Sequence, residues 1–230
     1  AAGESFNGTL PTCELPGETT KQTLVKVISA KKVGTRQMQV GNCVDDAITL
    51  DENSLTDLTD QVSFDENGNP CLNYTPTDDG TVIFAFWKYG TSESYKPATT
   101  GKSYTINYFD KTGVNALIDY WQQHVLDEEM QSYIKQVDEA DFYMDSLELR
   151  PRGTNTTGQL WCTDYIEQFE TRRGYDPSLY LPFMILREGS KAGNDKGNLR
   201  YQYELAGDED CDFTDRIRND MYQTDTDLYR

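Results

Sequence analysis

The sequence predicts a mixed α/β fold, in which a β-sandwich-like domain leads into the first units of a (β/α) barrel that is incomplete. Strand patterns dominate residues 23–105, and after Asp110 the apolar side chains recur at helical spacing between short apolar segments. A complete (β/α) barrel needs about 250 residues, and residues 106–230 leave room for about three βα units at most. We therefore expect the chain to be part of a longer protein.

The β domain is assigned to residues 23–105, after an irregular lead-in at residues 1–22 that is rich in Gly, Pro and Thr. Residues 23–30 are β-branched and partly alternating, which predicts a strand. Residues 81–87 form an almost continuous apolar run, which is typical of a strand covered on both faces. Asn67-Gly68 lies between two short apolar segments and predicts the turn of a hairpin.

The partial barrel is assigned to residues 106–230. An apolar stripe at i, i+3, i+4 and i+7 predicts one amphipathic helix over roughly residues 112–137. Trp121 lies on this stripe, and with Trp87 it is expected in the core. A second helix is predicted from about residue 160 to Arg173, ended by a glycine C-cap at Gly174, and a third begins near Asp212.

The charge balance excludes two classes of partner. The net charge is −18 and the isoelectric point is near 4.3, so polyphosphate backbones and anionic lipid surfaces would repel the chain. Solubility alone also explains such acidity. No apolar run approaches the roughly 18 residues that a membrane span needs. We expect neither a nucleic-acid partner nor a membrane span.

Cysteine usage and glycosylation sequons bear on the compartment. There are five cysteines without a CxxC pair and a single histidine, His124, so a zinc site is not expected. The predicted hairpin brings Cys71 near the segment of Cys43, and these two are expected to form a disulfide. Asn-x-Ser/Thr sequons permit secretion and begin at Asn7, Asn73 and Asn155.

Asp145 and Glu148 are the candidate chemical groups. The Asp-Ser-Leu-Glu stretch that they enclose follows a short apolar segment, and in a (β/α) barrel the loops after the strands hold the active site. Glycoside cleavage uses two carboxyl groups. In the alternative, Asp145 caps a loop and Glu148 is simply solvated. Tyr143, Trp161 and Tyr165 lie around this stretch and either stack on a sugar ring or belong to the core.

These residues resemble glycoside hydrolase family 106, the α-L-rhamnosidases, over roughly residues 60–230. The Asp-Ser-x-Glu segment at residues 145–148 is similar to that of the family. The most specific likeness is a run with Trp161, Phe169, Arg-Arg-Gly-Tyr-Asp at residues 172–176 and Tyr-Leu-Pro at residues 180–182. Further likenesses lie at residues 76–87, 109–111 and 216–220. Cys162 departs from the family pattern, because it interrupts a Trp-Thr pair.

The resemblance implies a secreted enzyme that hydrolyses terminal α-L-rhamnosides with inversion, with calcium near the substrate. Its calcium ligands are not placed by these residues. Carried over, Glu148 is a catalytic carboxylate and the general acid, and Asp145 supports it. Trp161 lines the sugar pocket, with Tyr143 and Arg150 as further substrate-binding residues. The substrate partner is an oligosaccharide or glycoside. The remainder of the barrel is a second expected partner, without which this chain is expected to be inactive.

Two alternatives remain open. The first is a non-catalytic carbohydrate-binding or surface protein on the same scaffold, against which Glu148 argues because an apolar or amide residue would suit that role. The second is a hydrolase of the same architecture that acts on another sugar, since only the resemblance selects rhamnose.

Overall fold

The computed structural model describes residues 1–13, 22–40, 43–89, 100, 106–141, 143, 159–188 and 199–230. The fold is mixed α/β, with mostly strands in its first part. The described strands are β1 (Phe6–Thr9), β2 (Thr23–Val40), β3 (Cys43–Leu50), β4 (Thr56–Asp57), β5 (Val62–Phe64), β6 (Pro70–Tyr74), β7 (Thr81–Lys88), β8 (Leu186–Glu188), β9 (Leu199–Tyr201) and β10 (Tyr203–Leu205). The described helices are α1 (Lys111–His124), α2 (Glu128–Ile134), α3 (Tyr165–Arg173), α4 (Leu181–Met184) and α5 (Asp212–Tyr229).

A small antiparallel sheet has the strand order β1-β6-β5. The predicted hairpin between β5 and β6 is confirmed, and Gly68 has a positive φ of 78° in its turn. Asp65 organises that turn, because its Oδ1 accepts hydrogen bonds from the backbone N–H groups of Asn67 and Asn69 at 2.9 and 2.8 Å. One face of this sheet covers a small apolar cluster that includes Leu10, Val27, Leu58 and Leu72.

The long strand β2 organises the main sheet. It pairs antiparallel with β3, β4 and β7, and its register shifts twice, between Leu24 and Lys26 and between Lys32 and Gly34. The predicted strand at residues 23–30 is therefore confirmed but extends to Val40. The strand predicted at residues 81–87 is confirmed as β7, whose side chains are mostly half-buried.

The described strands of the second part do not show the parallel pairing that barrel units have. β8 and β9 are antiparallel, and β10 joins the main sheet in parallel with β3. In the described range of residues 106–230, no strand pairs in parallel with another strand of that range. The mixed α/β class is thus confirmed. A β-sandwich followed by barrel units is not confirmed.

The main core lies between the sheet and helices α3, α4 and α5. It contains these buried side chains from the sheet and the helices: Ile28, Leu50, Phe84, Leu205, Phe169, Phe183, Met184, Ile217 and Met221. Apolar burial of this kind contributes about 25 cal/mol per Å² of area removed from water.

A buried ionic group joins this core to the sheet. Glu204 on β10 is fully buried, and its carboxylate accepts hydrogen bonds from Arg218 Nη2 at 2.9 Å and from Arg36 Nη2 at 3.2 Å. Arg218 also donates to the carbonyl oxygens of Phe183 and Tyr203. Each charge is thus paired and hydrogen-bonded, as burial demands.

The structure corrects the helix predicted at residues 112–137. It is two helices, α1 and α2, because the N–H groups of Val125 and Leu126 both bond to the carbonyl of Trp121, and Asp127 then caps a new helix by accepting from the N–H of Met130. Trp121 is 37% exposed, so its placement in the core is wrong.

Two helix ends agree with the sequence. The predicted helix from residue 160 begins at Tyr165, and its end at Gly174 is confirmed by a left-handed φ of 84°. The helix predicted near Asp212 is confirmed as α5.

The predicted pair of Cys43 and Cys71 is wrong in this structure. Cys71 is a free thiol on β6 of the small sheet, whereas Cys43 begins β3 in the main sheet. The hairpin forms as predicted, but it pairs with β1 rather than with β3. Among the described cysteines, Cys13, Cys162 and Cys211 are also free.

Candidate functional site

The predicted site residues divide into two groups. Asp145, Glu148 and Arg150 lie outside the described residues, so their predicted roles stay predictions. Tyr143 is described and is 87% exposed, while Trp161 is half-buried at the edge of the main core. Trp161 is therefore the predicted site residue around which a site can be built from contacts.

Trp161 makes one contact through its ring and one through its backbone. Its ring stacks on the ring of Tyr165, with centroids 4.4 Å apart and planes 24° apart. Its carbonyl oxygen accepts a hydrogen bond from Nδ2 of Asn107 at 2.8 Å. We call these three residues the Trp161 platform. Because Tyr165 begins α3 and is itself 1% exposed, the platform rests on a rigid element.

Asp110 fastens the platform to the first helix. Its Oδ1 caps α1 by accepting from the N–H of Thr112, and its Oδ2 accepts from the N–H and hydroxyl of Thr163 at 3.0 and 2.6 Å. Partial burial raises the pKa of Asp110, but the hydrogen bonds from Thr163 and Thr112 outweigh it and hold the pKa below its ordinary value. Asp110 is thus a structural anion rather than a proton donor.

Cys162 lies between these groups and is not a nucleophile. Burial, with the nearby carboxylate of Asp164, raises the pKa of its thiol to about 12. Sγ contacts Oδ1 of Asp164 at 3.4 Å. A thiol with so high a pKa carries almost no thiolate at neutral pH.

A buried carboxyl group lies beneath the platform. Asp225 on α5 is 8% exposed, and its Oδ2 accepts a hydrogen bond from Nε2 of Gln159 at 2.9 Å. The hydroxyl of Tyr165 and Oδ1 of Asp225 are close enough to interact electrostatically, yet neither completes a well-aligned hydrogen bond. Two buried polar atoms therefore face each other without full satisfaction, which costs free energy.

Burial raises the pKa of Asp225 to about 6, although the nearby hydroxyl of Tyr165 and the hydrogen bond from Gln159 lower it in part. This carboxyl group therefore changes its protonation state within a mildly acidic range. Sequence reasoning missed it. A signal was present, because Asp225 follows Met221 by four residues on the apolar stripe of α5, where an acid is out of place.

Metal ligation has no support among the residues that the structure describes, where no group of three or more His, Cys, Asp or Glu side chains could hold an ion. The predicted calcium site stays a prediction. In the same residues no helix is both long and apolar enough to cross a membrane.

Taken together, the described geometry consists of a fixed, half-buried indole above a buried tyrosine and a carboxyl group of raised pKa. Comparison with known protein families, characterised proteins and solved structures finds no match for this chain.

Proposed function

We propose that this chain belongs to a secreted glycoside hydrolase that cleaves terminal α-L-rhamnosides. In this proposal a β-sandwich-like domain leads into the first units of a (β/α) barrel, and residues 145–148 lie at the substrate. The resemblance of residues 60–230 to the rhamnosidase family supports the choice of sugar. The observation that carries a sugar-acting role is the Trp161 platform.

The platform has the properties that stacking on a sugar requires. A pyranose ring packs its C–H groups against a flat aromatic face, and the gain is largest when the aromatic ring needs no ordering on binding. The ring of Trp161 stacks on Tyr165, and its backbone carbonyl is held by Asn107, so the indole rests on a packed ring before a ligand arrives. It is also half-buried rather than enclosed, which leaves part of the indole in contact with solvent.

The proposed chemistry assigns the proton transfer to Glu148. As the glycosidic bond breaks, Glu148 gives its proton to the leaving oxygen, and the sugar passes through an oxocarbenium-like transition state. Asp145, close in sequence, helps to keep Glu148 protonated at working pH by like-charge repulsion. Trp161 positions the ring, with Tyr143 and Arg150 as further substrate contacts.

The Glu148→Gln substitution tests the catalytic role in the full-length protein. Gln keeps the shape and removes the proton, so turnover of a natural rhamnoside should fall by about 10²- to 10⁴-fold. The loss should be smaller for an activated aryl rhamnoside, whose leaving group needs no protonation. Asp145→Asn should reduce turnover less and shift the pH optimum. Normal turnover of the natural substrate by Glu148→Gln would refute the assignment.

The same platform also suits a carbohydrate-binding protein without catalysis, which is the second candidate. Titration of the chain with L-rhamnose by calorimetry addresses binding alone. Trp161→Ala should weaken binding by about tenfold or more, because stacking supplies on the order of 1 kcal/mol beyond the buried area. Trp121→Ala, at a half-exposed indole on α1, is the matched control. Binding that needs Trp161, with no rhamnoside hydrolysis by the full-length protein, would select the second candidate.

A further inference from the structure

Two of the three Asn-x-Ser/Thr sequons lie on neighbouring, paired strands of the small sheet. Asn7-Gly8-Thr9 lies on β1 and Asn73-Tyr74-Thr75 begins on β6, and Asn7 is the direct antiparallel partner of Asn73. The two asparagines are separated by 65 intervening residues in sequence, so only the folded sheet brings them together. Both side chains are exposed.

This face of the sheet is polar, uncharged and made of small side chains. Residues two apart on a strand share a face, and the positions around the asparagines are Ser5, Thr9, Ser63, Cys71 and Thr75. Alternate side chains point the other way, where Leu10 and Leu72 are buried in the small apolar cluster. In a chain with a net charge of −18, a face without charge is unusual.

The acceptor groups are free for modification. Neither asparagine amide makes a hydrogen bond with a residue that the structure describes, whereas the hydroxyl of Thr75 pairs with that of Ser5 at 2.7 Å and the hydroxyl of Thr9 lies 3.6 Å from Sγ of Cys71. A sugar attached at either amide would project from the sheet into solvent without disturbing the core.

We propose that this face carries one N-linked oligosaccharide per molecule, at Asn7 or at Asn73 but not at both. The donor is a lipid-diphosphate-linked oligosaccharide. The amide nitrogen forms a bond to the anomeric carbon, the bond from that carbon to the diphosphate oxygen breaks, and the diphosphate leaves on the lipid. The amide gives up one proton to a base of the transferase. This site is independent of the hydrolase activity proposed above.

The limit of one sugar follows from the pairing of the strands. Side chains directly opposite in an antiparallel pair have Cβ atoms about 4.5–5.5 Å apart. Two branched oligosaccharides that start from so small a separation crowd each other near their first sugars. A chain modified at both positions is therefore expected to strain the pairing of β1 with β6.

Site occupancy in a secreted product tests the proposal. The chain is expressed behind a cleavable signal peptide in cells that perform N-glycosylation, and occupancy at each asparagine is measured by mass spectrometry after enzymatic release in ¹⁸O water. We expect the occupancies of Asn7 and Asn73 to sum to about one, with molecules modified at both retained in the cell. Asn7→Gln should raise the occupancy of Asn73, and Asn73→Gln should raise that of Asn7.

Two further variants remove a sequon without changing its asparagine, and they serve as matched controls. Thr9→Ala and Thr75→Ala each remove one sequon with little change in surface shape, and each should act like the corresponding asparagine variant. Asn155, whose sequon lies elsewhere in the chain, reports whether the chain meets the transferase. Secreted molecules that carry two sugars on this face would overturn the proposal, and so would a face left unmodified in all secreted molecules.

Discussion

Helices α1 and α5 have similar apolar stripes, but only the stripe of α5 is buried. On α5 six side chains are buried, among them Ile217 and Met221. On α1 no side chain is buried, and Ile118 is 46% exposed. The periodic pattern therefore predicts that a helix forms and which face is apolar. It does not predict whether a partner surface covers that face.

The partners explain the difference. α5 packs against α3, α4 and β10, and its Arg218 is tied to Glu204 in the sheet. α1 is held chiefly at its first turn, where Asp110 caps it and bonds to Thr163. Gly113 lies so close to the preceding segment that an added Cβ would meet the carbonyl oxygen of Asn107 at 2.8 Å. One helix is thus part of the core, and the hydrogen bonds given above for the other lie at its first turn.

The largest expected contrast concerns charged residues on the two helices. Arg218→Ala leaves the buried carboxylate of Glu204 with Arg36 and Thr214 but without its closest cation, and it should lower the free energy of unfolding by about 3–5 kcal/mol. Lys111→Ala on the exposed face of α1 should change it by less than about 0.5 kcal/mol. Urea unfolding measures both. A loss below about 1 kcal/mol for Arg218→Ala would mean that the ion pair does not secure α5.

Substitutions of one apolar residue on each helix give the next contrast. Met221→Ala removes a fully buried side chain of α5 and should cost about 2–5 kcal/mol. Ile118→Ala shortens an exposed side chain of α1 and should cost less than about 1 kcal/mol. Equal losses in urea unfolding would show that the stripe of α1 is covered in solution, which would break the comparison.

The smallest contrast concerns pH. Because burial holds the pKa of Asp225 at about 6, above the ordinary value of 3.8, the folded protein binds this proton more tightly than the unfolded chain does. The contribution of Asp225 to the free energy of unfolding should therefore fall as pH rises from about 4 to about 6, by at most about 3 kcal/mol.

Asp225→Asn removes this titration. The stability of the variant relative to the original chain should rise between pH 4 and pH 7 by up to that amount, as measured by thermal unfolding across pH. Asp119→Asn, at an exposed position of α1, is the control for the loss of a carboxylate. A constant difference between Asp225→Asn and the original chain would show that Asp225 stays ionised in the fold.

The sequence predicted correctly those features that depend on interactions among a few neighbouring residues. The Asn-Gly turn, the glycine C-cap at Gly174 and the start of α5 near Asp212 are confirmed, since each depends on a few neighbouring residues. The helix break was missed although Asp127 is a good N-cap, because the apolar stripe continues past it to Val137. A continuing stripe outweighed a capping residue in the prediction.

The candidate site was predictable in part. Trp161 was predicted to line a sugar pocket, and that role stays a prediction, while its contacts with Tyr165 and Asn107 are now defined. Asp225 was not identified, because its raised pKa depends on burial under α3, a contact between segments that lie 60 residues apart.

The sequence by itself determined the mixed α/β class, the strand-rich first part, the hairpin turn, the C-terminal end of α3 and the start of α5. These features follow from backbone preferences and side-chain periodicity, which act over a few residues. Only the tertiary structure decided that β10 pairs with β3, that Cys71 stays a free thiol, and that α5 rather than α1 enters the core. Those outcomes depend on which distant surfaces meet, and the energy of burying a face exists only once its partner is in place.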